Sequence, residues 1–500
     1  MERKALFVKK VVVIGAGIGG LACAIRLAYH GFSVTIVEKE SRSGGKLQPV
    51  DTADYQFDLG PSTVTMQHVF ADLFTACDRR IEDYLTFYPI KDGTRNFFAD
   101  GNIVDYSTDV DRVEEQIAVF SQHDATNYRA FLEKSSSFYQ IAERQFFSQL
   151  MYAWKVKLSP HLLFDFVRIK PFTSYQKLLR SYFNHPNTLA MFGRYATYVG
   201  SSPYHAPAIF SMMTHLEGKQ GVYGIKGGTY AIVSALERLA LELNVTIKKN
   251  TTVKKININN KKAVGVQTNN GEFSADEVIA NVDALTVYQQ WLKDHPMNQK
   301  ITKKEPSLSG MTLLLGIKQQ YQQLRHHNIF FPDDYKREFD AIFKDKKMPV
   351  DPAIYICNSS YSEPSRAKVG GSNLFVLLNA PSLSKNTMWS SNMNETVRNQ
   401  VLNRLERNGF TNLEDSIEYE EIMTPDDIKR RTGAYQGTIY GMSSNRFKQA
   451  FFRVPNKDTH IEHLYFVGGS THPGGGTPMV TLSGSLVADD IIDRYKIQRS

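Results

Sequence analysis

Residues 11–14 form a short apolar, β-branched run, the pattern of a strand buried on both faces of a parallel sheet. Glycines follow at once, and residues 21–28 then continue as an apolar helix that Gly31 ends. A second strand at residues 33–37 delivers Glu38 at its C-terminal end. The far end of the chain repeats the theme. Residues 464–467 predict another buried strand, followed by a loop rich in glycine. A helix then runs from about residue 479 to 495, with Val480, Leu482, Leu486, Val487, Ile491 and Ile492 as its apolar positions. Between the two ends, Lys226-Gly227-Gly228 precedes a predicted helix over 229–243, with Leu236, Leu239, Ala240 and Leu243 on one side. Strands are expected next at 245–247, 253–256, 263–267 and 277–280, with a turn at Asn259-Asn260. Further strands are expected at 312–317 and 373–378. The pattern is that of an α/β protein.

The turn after the first strand carries candidate chemistry. Gly15, Gly17 and Gly20 have GxGxxG spacing, with Ala16 inside the turn. Gly15 permits a tight turn, Gly17 lets the backbone approach a pyrophosphate, and Gly20 brings helix and strand together. The helix start supplies unpaired N–H groups to phosphate oxygens. Glu38, followed by Lys39, sits 18 residues after Gly20, where a carboxylate accepts ribose hydroxyls. That acid disfavours the 2′-phosphate of NADP and leaves FAD or NAD. Downstream, Ser41-Arg42-Ser43-Gly44-Gly45-Lys46 forms a loop allowing close backbone approach next to a positive charge. Phe57-Asp58-Leu59-Gly60-Pro61-Ser62 follows. At the C-terminal end, Gly469 and the helix start Thr477-Pro478-Met479 again set backbone N–H groups against an anion.

Five hundred residues with 42% apolar content are ample for several domains. No run of about 18 apolar residues appears, so no spanning helix is expected. The N-terminus leads directly into a strand without an apolar leader, which argues against secretion. The cysteines, Cys23, Cys77 and Cys357, lack CxxC or metal-type spacing; buried thiols in a reducing cytoplasm and no metal are expected. The net charge of +8 is compatible with an anionic membrane surface, and no nucleic-acid-binding motif accompanies it.

Glu38, the glycine–basic loop and the Asp58-x-Gly60-Pro61 segment together resemble the extended N-terminal signature of the flavin amine oxidase and phytoene desaturase superfamily. Within it the chain resembles the carotenoid (phytoene) desaturase and oxidase family over essentially its whole length. The residues that carry this are Phe57 to Ser62, Tyr198-Val199-Gly200-Ser201-Ser202, Ala206-Pro207-Ala208, His326-His327-Asn328, Leu464 to Val467, Gly469, Pro473 to Gly476 and Pro478 to Gly484. The resemblance implies a discontinuous, doubly wound, Rossmann-type FAD domain from residues 1–75, 220–290 and 455–500. It also implies a mixed substrate domain from 76–109 and 291–454, and a helical lipid-facing subdomain over 110–219. The segment at Val253 would touch the adenine side of FAD, and the C-terminal helix start would face the pyrimidine edge of the flavin ring.

By the same resemblance the substrate is a carotenoid, and the reaction an oxidation by hydride or electron transfer to flavin. The likeness points to a terminal methyl of a thirty-carbon polyene. Desaturation of the polyene, oxidation of an amine or porphyrinogen, and a non-enzymatic prenyl-lipid escort role are the alternatives. Catalytic residues and oligomeric state stay open. His472 is expected to have a structural role in its loop, whereas His326, His327 and Asn328 would either face the substrate or lie on the surface. Residues 147–183 interleave aromatics with Lys155, Lys157, Arg168, Lys170, Lys177 and Arg180 against the single acid Asp165. That composition suits peripheral contact with the inner face of the cell membrane, and a helical subdomain packed on its own core is the other reading.

Overall fold

The apolar run at residues 11–14 is continuous because it forms the central strand of a parallel sheet. The computed structural model describes residues 8–151, 165, 168, 169, 171–384 and 389–496. Its parallel sheet has five strands, β1 (Lys10–Ile14), β2 (Ser33–Val37), β3 (Thr246–Lys248), β4 (Glu277–Ala280) and β5 (Leu464–Phe466). Their order across the sheet is β5-β4-β1-β2-β3, so one sheet draws on three widely separated stretches of chain. One face is covered by α1 (Ile18–Tyr29), α2 (Ala231–Glu242) and α3 (Thr477–Tyr495). The other face carries the antiparallel meander of Val253–Asn259, Lys262–Thr268 and Gly271–Ser274, together with the helix Ala284–Gln290. The first hairpin of the meander turns at Asn260 and Lys261, both at positive φ, one residue later than the sequence predicts.

A second sheet of seven strands stands beside this unit. In spatial order it runs Ile417–Met423, Ser309–Ile317, Ser372–Ala380, Ile354–Asn358, His327–Phe330, Thr94–Phe97 and Ile103–Tyr106. Only the pairing of His327–Phe330 with Thr94–Phe97 is parallel. A helical portion closes over it, with Tyr128, Phe131, Phe183 and Phe192 packed against one another. Within it Arg194 and Glu217, both nearly inaccessible, pair at 2.9 Å and share hydrogen bonds with Tyr195 and Tyr198.

The stretch 147–183 falls partly outside the described residues, Lys155, Lys157 and Lys170 among those not described. In the part that is described, Phe147, Ile169, Tyr175, Leu178, Leu179 and Phe183 are buried in the helical core. Asp165 bonds Arg144 at 2.5 Å and Gln145 at 2.8 Å. Phe172 is the exception, at 84% exposure. The described aromatics therefore serve mainly the core.

Helix α1 begins three residues before the predicted start because Gly19 and Gly20 are already helical. Both lie where α1 approaches its surroundings too closely for side chains. At the α1–α3 crossing, a Cβ on Gly484 would overlap the Gly19 carbonyl oxygen and approach the Cys23 nitrogen to 2.9 Å. Overpacking of this kind costs about 1–3 kcal/mol or more. Gly484→Val is therefore expected to lower the thermal midpoint of the cofactor-free protein, measured by circular dichroism. An unchanged midpoint would mean that the helices separate without cost.

Candidate functional site

The first glycine turn is shaped by a residue that the sequence reading passed over. Gly15 takes φ +96° and donates its N–H to the Val37 carbonyl at 2.8 Å, tying the turn to β2. Asn281, directly after β4, donates its Nδ2 to the Gly15 carbonyl at 3.2 Å. The same nitrogen lies 2.8 Å from where a Cβ would stand on Gly17 and on Gly20, and Asn281 Oδ1 lies 3.1 Å from such positions on Gly19 and Gly468. One side chain thus fills the space that four glycines leave open. The signal was its position, immediately beyond the carboxyl end of a central strand, where open α/β sheets bind ligands.

Glu38 is 5% exposed and accepts from the Ala16 N–H at 2.7 Å and the Glu40 N–H at 2.9 Å. Burial pushes its carboxyl pKa up, while these two bonds favour the carboxylate. Val253, 8% exposed, follows Thr251, whose N–H donates to the Glu38 carbonyl at 2.7 Å, so the middle stretch reaches the acid. The loop of Gly44 and Gly45 lies alongside the turn: Gly44 N–H donates to the Ala16 carbonyl at 2.9 Å and bridges Gly17. Lys39 stands apart from this convergence, exposed and bonded to the Arg430 carbonyl at 2.9 Å.

Lys46 donates to the carbonyls of Thr438 and Ile439. Burial lowers its pKa, and Asp283 opposes that shift. Asp283 also offsets the burial of Arg453, whose pKa is pushed down to about 10. Arg453 donates to the Gly469 carbonyl at 3.2 Å, which sets a partly buried cation beside the C-terminal glycine loop. Asp283 and Arg453 were not singled out from the sequence. Beyond that loop α3 opens with Thr477, Pro478 and Met479, all buried.

The Asp58 segment has a clear structural task. Asp58 accepts from the Thr229 and Tyr230 N–H groups at 3.0 and 3.2 Å and from Arg366 at 2.8 Å, locking the start of α2 onto the first stretch. Gly60, at φ +113°, passes against the Lys46 carbonyl, too close for a Cβ. After Pro61, Ser62 Oγ meets the Tyr355 hydroxyl at 2.6 Å, and that hydroxyl meets His327 Nδ1 at 2.8 Å.

Whether these residues suit a flavin dinucleotide is tested by their unmet hydrogen bonds. Ser43 Oγ, Thr229 Oγ1 and Thr477 Oγ1 are buried hydroxyls without a partner among the described residues, as are Ser135, Thr188 and Ser211 in the helical portion. Each of the first three belongs to a different one of the three stretches. A buried polar group left unpaired costs about 1–3 kcal/mol. A ligand rich in phosphate, ribityl and ring heteroatoms, lying where the three stretches meet, satisfies such groups. The site fits FAD.

A cleft lined by Phe57, Ser62, Tyr88, His326, Cys357 and Phe375, among others, opens beside the Asp58–Arg366 pair. His326, His327 and Asn328 are 4%, 0% and 0% exposed, which rules out the surface placement. Asn328 is bonded to the Arg325 and Ile356 backbone, a structural role. Burial drives the pKa of His327 down to about 3 and that of His326 well below its usual value, so both rings are neutral. His472 bonds the Gln149 carbonyl at 3.0 Å, with burial lowering its pKa to about 4, in keeping with a structural role.

Comparison with known proteins agrees with this geometry. The family model described as flavin containing amine oxidoreductase matches residues 18–492. The chain is 36% identical over 489 residues to 4,4′-diaponeurosporene oxygenase of Staphylococcus haemolyticus, covering 97% of each chain. It is 35% identical over 487 residues to 4,4′-diapolycopene oxygenase of a Methylomonas species, covering 97% of this chain and 98% of the relative. Among solved structures, cyclohexylamine oxidase of Brevibacterium oxydans superposes with a TM-score of 0.64 at 13% identity, covering 98% of this chain and 100% of the other. An oxidoreductase of Methanosarcina mazei gives 0.62 at 16% identity, with 96% and 100% covered. At these identities the two structures speak to the fold.

The Asp58–Arg366 pair gives this subsection its test. Both side chains are nearly inaccessible, and removing one partner of such a pair costs about 3–5 kcal/mol. Arg366→Ala should therefore lower the urea midpoint sharply, with Arg366→Lys intermediate. A midpoint like the parent's would show that Asp58 needs no cation to hold α2.

Proposed function

The chain belongs to the flavin containing amine oxidoreductase family and is an FAD-dependent oxidoreductase; on that premise we propose that it oxidises a carotenoid at a terminal methyl of a thirty-carbon polyene. Identity of about 35% across nearly the whole length of both oxygenases supports this substrate class. Desaturation of the same polyene is the second reading, since it draws on the same machinery.

In this reading Gly15, Ala16, Gly17 and Gly20 admit the pyrophosphate to the start of α1, and Glu38 accepts ribose hydroxyls. Lys39 contributes charge at the rim, and Gly44, Gly45 and Lys46 form the loop laid over the dinucleotide. Gly60, Pro61 and Ser62 also bind the cofactor, and Val253 touches its adenine side. Gly469, Thr477, Pro478 and Met479 take the flavin ring, with Ser43 and Thr229 supplying hydroxyls. FAD provides a two-electron acceptor, and a conjugated polyene spreads the positive charge left by hydride loss. Capture of that cation by one water gives an alcohol, and a second two-electron oxidation gives the aldehyde; the protein's part is to hold the methyl in place, to admit that single water, and to set positive potential where the ring becomes electron-rich. The start of α3 and the partly buried Arg453 supply that potential.

Delivery of a polyene calls for contact with a bilayer, which we place at the inner face of the cell membrane. Among the described residues no helix is long and apolar enough to cross a membrane. Phe172 is exposed and stacks on Phe447 at 4.9 Å, Phe452 is half exposed, and Arg446 and Lys448 lie alongside in sequence with exposed side chains. Aromatic and basic side chains together suit an anionic headgroup layer.

Product analysis after expression beside a thirty-carbon carotenoid pathway tests the reaction. A terminal aldehyde is expected; hydrocarbons with additional double bonds and no oxygen would establish desaturation instead. The ribose role of Glu38 is tested apart from turnover. Glu38→Ala removes one or two hydrogen bonds to a charged group, about 1.5–3 kcal/mol each, and should weaken FAD binding roughly tenfold or more. An unchanged dissociation constant on refilled apo-protein would show that Glu38 only braces the Ala16 turn.

A further inference from the structure

Strand pairing in the seven-stranded sheet assembles a side-chain cluster that the dinucleotide site does not use. His327 and Cys357 are register partners on adjacent antiparallel strands, and His326 immediately precedes the first of them. One nitrogen from each histidine and the Cys357 Sγ all lie within 4.8 Å of one another, and all three residues are buried. We propose that His326, His327 and Cys357 bind a closed-shell cation of borderline or soft character, Zn²⁺ or Cu⁺, at the wall of the cleft beside Asp58 and Arg366.

The donor set and its surroundings support this. Imidazole and thiolate are the ligands that such ions prefer. With metal–ligand distances near 2.0–2.3 Å, the edges of a tetrahedral site are roughly 3.3–3.7 Å, so small side-chain rotations close the cluster onto an ion. Outer hydrogen bonds already orient the rings: His326 Nδ1 meets Ser362 Oγ at 2.8 Å, and His327 Nδ1 meets the Tyr355 hydroxyl at 2.8 Å. Second-shell partners of this kind fix tautomer and direction at metal sites. That leaves His327 Nε2, in a side chain with no solvent exposure, without any partner. A metal ion supplies the missing one. His326 and Cys357 both line the cleft, so a further coordination position faces open space.

Charge separates the two ions. Two neutral imidazoles and one thiolate carry a single negative charge, which Cu⁺ neutralises and Zn²⁺ turns positive. Arg366 also sets its positive charge near Cys357 and His326. A buried site disfavours net charge. Another group of potential ligands, His295, Asp458 and His460, lacks this unmet demand. Asp458 already accepts from the Tyr288 hydroxyl and from the His460 and Ile461 N–H groups.

In the linear sequence the ligands are dispersed, on two strands whose partners His327 and Cys357 lie 30 positions apart. The test uses FAD-loaded protein from zinc- and from copper-supplemented cells, with metal and flavin measured on the same sample. Close to one ion per chain is expected in at least one preparation. Cys357→Ala and His327→Ala should lose it, and Tyr355→Phe should weaken its affinity about 10–100-fold. Retained flavin shows that each variant is folded. Should the ligand variants fail to fold, Co²⁺ added to the parent protein is expected to give a thiolate-to-cobalt charge-transfer band in the difference spectrum. Flavin-replete protein that carries neither metal from either culture, and that in this metal-free state gives no cobalt band, overturns the proposal. Because the readout is metal content, it does not depend on the identity of the substrate.

Discussion

Three distant stretches of chain can share one sheet only if their turns pack almost backbone to backbone, and Asn281 is where that packing is resolved. Its amide fills the gap between the first glycine turn, the end of β4 and the C-terminal glycine loop. Larger residues at Gly17, Gly19, Gly20 or Gly468 would compete with it for the same volume. The space above the turn is therefore set by the absence of side chains and by one polar group that keeps the gap from collapsing. A dinucleotide needs both conditions, because its phosphates must reach backbone N–H groups that side chains would otherwise screen.

Buried charge fastens the same junction from outside. Asp58 and Arg366 join the first stretch, the start of α2 and the second sheet, while Asp283 sets its negative charge near Lys46 and Arg453. Either member of the nearly inaccessible Asp58–Arg366 pair would cost several kcal/mol if left without its partner, so that pair is tolerable only when its stretches are in place. That couples assembly of the site to assembly of the fold. It also leaves a positive charge, Arg453, beside the loop that precedes α3.

Much of the cofactor half was legible in the sequence because its signals are local. A β-branched run, glycines at fixed spacing and an acid at the end of the next strand are each read within a few residues, and β4 matches its predicted span. What lay hidden is whatever long-range pairing creates. Asn281 acquires its role only once β4 lies next to β1, and Arg366 only when the second sheet meets Asp58. The histidine pair illustrates this best. His326 and His327 looked equally suited to surface or substrate, and the register with Cys357 buries them at the cleft wall. The stretch at 147–183 was less legible, since composition alone does not say which side of a helical layer an aromatic ring faces: of its described aromatics, Phe147, Tyr175 and Phe183 pack in the core and Phe172 is exposed.

The central claim is that the three-stretch site holds a flavin to which a polyene gives up its electrons. Anaerobic mixing of the FAD-loaded protein with 4,4′-diaponeurosporene in vesicles tests it most directly, because electrons from the substrate then have nowhere else to go. The flavin's visible band is predicted to bleach in proportion to the carotenoid consumed, and to recover when an electron acceptor is admitted. A flavin that stays oxidised while dithionite still reduces it would contradict the account.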